Sequence, residues 1–541
     1  MTRTRSTGIL KRQVLLTAVV TGACFFATGS QAAGIAKPHP PKHREFVAIE
    51  SPMKLDARTT VTISTKTSHN MNCSGGKCSP SGPKPVLNVN DLARLLVAGN
   101  VTIATSATAP DIAITASFAW ESSNGLTLQA IANVTVNKSV SDEGSGSLTI
   151  VYDSTGAGGV FSFGPQGHIT FATLANPLTI NGQSYALVNN IRLMQREIGD
   201  NPSGQFALSQ SYNARGDGKY TQSPIDLPFQ GTFEGLGNAI SGLRIESVGD
   251  GVGTGFFQEV GETGSVSHFN LKKIEDECAG ICMTVGGLAG SNKGIIFGSA
   301  ASGNVNVSCP DGACVVGGLV GTNTGTISFS HAGGEAIVTA DSAEHSVVGG
   351  LVGWNQAGGA IDHSYATTTV SGLDDQAIVG GLIGENDGSA DQTYATGLAT
   401  AADHAAVGGS VGLANAGHLT NSFASAGASA GDDSVAGGLV GEQLGGAIDG
   451  CTESGPINGG QNTSVGGLLG FASGDTAAFG NSASYGMVTG VPGNYIGGFV
   501  GEDGNEGDMS NDGWDMSTSG IANPAQGAGN IPNDAGITGF N

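Results

Sequence analysis

Three groups of residues in this chain have types and spacings that could do chemistry. The first is a cluster of cysteines, Cys278, Cys282, Cys309 and Cys314. Four thiolates could hold a zinc ion tetrahedrally. They could equally close two local disulfide loops (278 to 282 and 309 to 314) or bridge two neighbouring segments. The spacing leaves these open, although an exported chain favours oxidation over zinc. Cys73 and Cys78 bracket Ser-Gly-Gly-Lys and read as a small-loop disulfide. Cys451 is left over. It falls in a column otherwise held by Ser299, Ser330, Ser364, Thr393 and Ser422, so it reads as a buried free thiol in a serine slot rather than a nucleophile.

The second group is acidic. Asp341, Asp374, Asp375, Asp403, Asp432 and Asp433 each stand four to eight residues before a Gly-Gly pair. Paired carboxylates such as Asp374–Asp375 and Asp432–Asp433 could act as the acid and base of a glycoside hydrolase. They could also offer oxygen ligands to calcium. No His-Glu-x-x-His occurs and no Arg or Lys accompanies the pairs, so solvated corners are the expectation, with no catalytic residue and no cofactor assigned. The third group is aromatic: Tyr365, Tyr394 and Phe423, with His331 before them, stand at equivalent places one repeat apart. If the residue before each serine is a corner, these rings face outward and could stack against sugars. If the strand simply alternates, they share the core with Ile361 and form a structural ladder.

The elements that position these groups come from a repeat. The unit Val-Gly-Gly-Leu-x-Gly begins its glycine pair at 286, 317, 349, 380, 408, 437, 466 and 497, at intervals of 28 to 32 residues. That period marks stacked coils. Each coil reads as three short strands: the Val-Gly-Gly-Leu unit, a Gly-x-Ile segment such as Gly359-Ala360-Ile361, and the Val or Ala stretch before the next unit. No crossover helix fits this spacing, so like strands must lie on like strands. The expected fold is all-β, a right-handed parallel β-helix (β-solenoid), with a short helical insertion near 187–199 where Leu187, Ile191, Met194 and Ile198 keep a helical period.

The chain divides on this reading into a signal peptide (1–32), a linker and N-terminal cap (33–85), a β-helix segment (86–184), a helix-containing entry segment (185–245), the repeats (246–510) and a C-terminal cap (511–541). Arg3, Arg5, Lys11 and Arg12 before the apolar run Val14 to Phe26 carry the first of these. That run is too short for a transmembrane anchor. Ninety glycines in 541 residues, without a Gly-X-Y period, exclude collagen and suit narrow β-coils. The net charge of −23, with no Lys or Arg after Lys293, argues against nucleic acid as a partner.

The segment Val348 to Ala366, with Gly-x-Ile and Ser-Tyr-Ala after the glycine unit, resembles the GLUG-motif repeats of secreted bacterial proteins. Phe233-Glu-Gly-Leu-Gly-Asn-Ala-Ile matches the lead-in to such repeats. Residues 86–184, through Leu126-Thr-Leu-Gln-Ala and Leu178-Thr-Ile-Asn-Gly, resemble the β-helical part of filamentous haemagglutinin-like adhesins. These resemblances imply an exported protein, extracellular, at the cell surface or in the periplasm. They imply non-catalytic, adhesin-like contact with a host or environmental glycan or a surface protein. The alternative is an extracellular polysaccharide-active β-helix enzyme, since lyases and hydrolases share the fold.

Overall fold

The computed structural model describes residues 59–247, 253–279, 283–309, 313–333, 337–342, 345–473, 478–504 and 509–541. The expected signal peptide and the linker up to residue 58 lie outside the described residues.

What the glycine pair does becomes plain at Gly317 and Gly318. A β-carbon on Gly317 would overlap the carbonyl oxygen of Val320, three residues on in its own chain. One on Gly318 would overlap the carbonyl of Gly350 on the next coil. The pair is therefore a tight corner, and Val-Gly-Gly-Leu is not one strand as the repeat suggested. Val315–Gly317 belongs to an eight-stranded sheet, while Val320–Asn323 belongs to a ten-stranded one. Leu319, between them, points into the core with no exposure. Each coil continues through a strand such as Thr326–Ser328, a two-residue strand such as His331–Ala332, and a longer one before the next glycine pair.

Like strands stack in parallel and in register: Gly317 faces Gly349, which faces Gly380. The result is a parallel β-solenoid of about 15 turns. Inside it runs a ladder of fully buried asparagines. Asn292 donates to Asn323 at 2.7 Å, Asn323 to Asn355 at 2.8 Å and Asn355 to Asn386 at 2.8 Å. Each amide satisfies the next, which is what lets polar side chains occupy the interior. The serine column is a second internal ladder. Ser330 Oγ accepts the N–H of Ser299 and Ser364 Oγ that of Ser330, both at 3.1 Å. Cys451 fits the same slot, fully buried, its thiol donating to the carbonyls of Leu419 and Asp449 at 3.4 Å.

A shorter stack precedes the repeats. Strands Thr60–Ser64, Val86–Asn88, Asp111–Ile114, Val134–Val136 and Phe161–Phe163 form one of its walls. Helix α1 (Val89–Ala98), capped by Asn88, covers it with Val89, Leu92 and Leu96 buried. The two stacks have separate cores that meet in one shared wall. Leu178–Ile180 and Gln183–Val188 pair antiparallel around Asn181-Gly182, both at positive φ, which is the two-residue hairpin signal. The chain thereby reverses. Gln183–Val188 then pairs in parallel with Gln205–Leu208. Along this wall Leu187 and Ala207 face the first core, while Val188, Phe206 and Leu208 face the second.

Helix α2 (Ile191–Asp200) packs Ile191, Met194 and Ile198 into the second core. The helical period includes Leu187, which instead lies in the strand Gln183–Val188. The helix starts only after Asn190, whose side chain accepts the N–H of Leu193. At the far end Asp512–Asp515 and Ile537–Phe540 close the stack over a fully buried Trp514.

Candidate functional site

Outward from the serine ladder each coil turns through a residue in the left-handed region: His268, Phe329, His363, Gln392 and Asn421 have φ between 45° and 51°. That corner resets the alternation. After Phe329, His363, Gln392 and Asn421 the next serine or threonine points inward and the ring after it points outward. His331, Tyr365, Tyr394 and Phe423 thus form a column on the outer face, paired coil to coil. The His331, Tyr365 and Tyr394 rings lie flat on one another. His331 and Tyr365 are 4.6 Å apart at 1°, and Tyr365 and Tyr394 are 4.5 Å apart at 7°. Tyr394, with Tyr365 stacked on it, is only 7% exposed. Along its length the column offers ring edges; an open ring face exists only where it stops.

It stops at a cleft. In the register of the column, the rung before His331 is Ala300 and the one before that is Asn270. Here the first stack comes close: a β-carbon on Gly237, at φ 72°, would fall 2.8 Å from the ring of Phe163. The space left between the stacks is a cleft of about 400 Å³. Phe163 and Pro165 form one side; Lys272, Phe297, Ala300 and His331 lie on the other. Burial, with Lys272 nearby, pushes the His331 imidazole down to about 4, so it is a neutral ring at pH 7.

At the base of the cleft is a buried pair. His268 Nδ1 lies 3.0 Å from Glu234 Oε1, and both side chains are under one-tenth exposed. Glu234 Oε1 also accepts the N–H of Leu236 at 2.9 Å. Edge contacts from Phe161, Phe163 and Phe297 hold the imidazole, with centroids 5.0 to 5.5 Å away. The carboxylate fixes the proton on Nδ1. In the neutral ring Nε2 is then an acceptor, and among the described residues it has no hydrogen-bond partner. A His–carboxylate pair of this kind can accept a hydroxyl or serve as a base.

The other sequence candidates are not brought here. Asp374 is buried, and its two oxygens accept the N–H and hydroxyl of Ser346 at 2.7 and 2.5 Å. Asp375 beside it is exposed. Asp403 accepts the N–H of Asp432 at 2.8 Å, and Asp432 that of Gln461 at 2.7 Å. These carboxylates stitch coil to coil, and Asp433 is an exposed corner at φ 54°. Among the described residues no three metal-ligating side chains converge. Cys73 and Cys78 face each other across a hairpin and are bonded. Cys278 and Cys314 are each in a disulfide, which removes their thiolates from the zinc alternative. Cys282 lies outside the described residues, and of Cys309 only the backbone is described.

Sequence reasoning missed Glu234, His268 and Lys272. Glu234 and His268 are 34 residues apart, about one coil, so a search for polar pairs one period apart would have found them.

Residues 344–371 match the family model of the GLUG motif. The chain is therefore a GLUG-containing parallel β-solenoid. No curated protein matches it. Among solved structures it is similar to an IgA1 protease, at 18% identity and a TM-score of 0.35, over 57% of this chain and 22% of that one. It thus spans about a fifth of that protein's length.

Proposed function

We propose that this chain is a non-catalytic, exported, adhesin-like protein that holds a glycan or a surface protein against a rigid β-solenoid. The observation that carries this reading is the aromatic column: rings set outside the core by left-handed corners, locked face to face, and ending in a cleft of about 400 Å³. A preorganised aromatic surface binds with little ordering cost. The basic and apolar start of the sequence supports export, and the haemagglutinin-like residues 86–184 support the adhesive role. The test is a glycan array probed with the purified chain, with and without calcium, beside a polysaccharide-degradation assay. Retention of glycans that survives chelation, without bond cleavage, is the expected result.

A second reading is favoured by one feature, the unpartnered Nε2 of His268 held by Glu234 near Lys272. A base beside a cation is what elimination from an acidic polysaccharide needs. Cleavage that disappears in His268→Gln would replace the adhesive reading with this one. Cleavage dependent on Asp374 or Asp432 would point instead to a hydrolase on the coil corners.

A further inference from the structure

The aromatic column ends one rung early. Coil after coil from His331 to Phe423 places a ring in this register position, and the coil before His331 places Ala300 there. The neighbouring corner position on the same coil is Gly298, where a β-carbon would meet the His268 ring at 2.8 Å. Two adjacent columns thus lose their side chains at one level. Phe297 fills the corner side, lying between His268 and Phe329 at 5.3 and 5.5 Å. The Ala300 side stays open. One face of the neutral His331 ring borders that gap, and the first stack roofs it with Phe163 and Pro165.

The polar groups around the gap are of two kinds. His268 Nε2 is buried with no partner among the described residues and accepts in the neutral ring. Lys272 has no ion pair among the described residues, whereas Lys219, Arg244 and Lys293 in the same stack are each matched to a glutamate. Asn270, one rung further, reaches only backbone carbonyls at 3.4 and 3.5 Å, so its amide can turn to a better partner.

We infer that the vacant rung at Ala300 is a binding site for a single pyranose ring carrying one negative charge, a uronic acid in its simplest form. The sugar's C–H face replaces the missing ring against His331, its charge is met by Lys272, and a hydroxyl donates to His268 Nε2. One rung of the column is about as thick as a sugar ring, and a cleft of this size falls within the usual range for ligands, ~300–1,000 Å³. Lys272, the cation lining the cleft in a chain of net charge −23, gives the gap its preference for an acidic over a neutral sugar.

The inference rests on the glycan-binding reading above and is tested separately. The full chain is titrated by calorimetry with glucuronate, galacturonate, glucose 6-sulfate, glucose and benzoate. The anionic sugars should bind, with glucose weaker by about ten-fold, the size of one charge-assisted hydrogen bond. Lys272→Ala should erase that preference and Lys272→Arg should keep it. Ala300→Tyr should fill the rung with the protein's own ring and abolish sugar binding without lowering the unfolding midpoint. Equal binding of glucose and uronates, benzoate binding as well as they do, or an Ala300→Tyr variant that folds and binds like the parent would each overturn the site. If the parent and Ala300→Tyr retain the same array glycans, the adhesive reading stands and the cleft assignment falls. If the array is blank while uronates bind and Ala300→Tyr does not, the site stands and the adhesive reading falls.

Discussion

The two stacks solve the same problem with different interiors. The first, from Val61 to Leu187, is built on aliphatic and aromatic side chains, and its buried acids are answered: Asp142 takes the amide of Asn176 at 2.9 Å, and Asp111 that of Asn133 at 2.8 Å. The second is threaded by polar ladders of asparagine and serine. It also carries acids that are not fully answered: among the described residues neither oxygen of Asp276 has a partner, and Glu453 leaves Oε2 without one. The difference follows from repetition. When every coil repeats its neighbour, a polar side chain at one level finds an identical one above and below, so a ladder satisfies itself. A stack without a strict repeat must pair each buried polar group individually.

Three tryptophans make this contrast measurable, because Trp120 lies in the first core and Trp514 in the second. The largest effect is expected from Gly349→Val. A β-carbon there would overlap Val352 O and lie 2.7 Å from Gly384 N. Corner strain of this kind should cost the second stack upward of about 4 kcal/mol. Urea unfolding read at Trp514, with the other tryptophans replaced by phenylalanine, should shift far more than unfolding read at Trp120. Equal shifts would mean that the shared wall couples the cores into one unit.

Breaking a ladder comes next. Asn355→Ala leaves Asn323 and Asn386 each short of a partner, and should cost about 2–3 kcal/mol in the same assay. A change under 1 kcal/mol would show that the ladder is dispensable.

Acidity separates the stacks differently. Burial raises Asp276 and Glu453 to about 8 and Asp512 to about 6, all in the second stack. The folded values lie above the unfolded ones, so the fold favours the protonated form. That stability is complete below the unfolded carboxylate range and is lost as pH climbs through 6 towards 8, at up to about 1.4 kcal/mol per pH unit for each proton. Glu453→Gln should flatten the slope of the Trp514 transition and leave the Trp120 transition alone.

The smallest effect is expected from Cys451→Ser. The slot is a serine slot on neighbouring coils, and a hydroxyl can donate to the same Asp449 carbonyl. A loss above about 1 kcal/mol in thermal unfolding would show that the thiol is chosen for its packing.

Much of the fold was legible because its rules act within a single coil. The glycine period dictated parallel stacking, and the serine column explained Cys451 from position alone. The role of the glycine pair was not legible, since a strand and a corner share the same spacing until the carbonyl of Val320 is placed against Gly317. Nor was the direction of the aromatic column: it hangs on the left-handed backbone at Phe329 and His363, residues that do not announce such a conformation by type. The Asn181-Gly182 reversal was written in the chain as a plain hairpin dipeptide within a segment that otherwise reads as continuous coil.

By itself the sequence determined the repeat, the parallel register and the small polar groups that run through the interior, because each coil specifies its own backbone and copies it. The tertiary structure alone decided that a second stack would share a wall with the first, each using the opposite face. It also decided that Glu234, His268, Lys272 and Ala300 would meet under Phe163. Glu234, His268 and Ala300 stand on successive coils about one period apart, but no periodicity encodes the arrival of Phe163 from the first stack over them. That cleft exists only once two separately packed cores are pressed together.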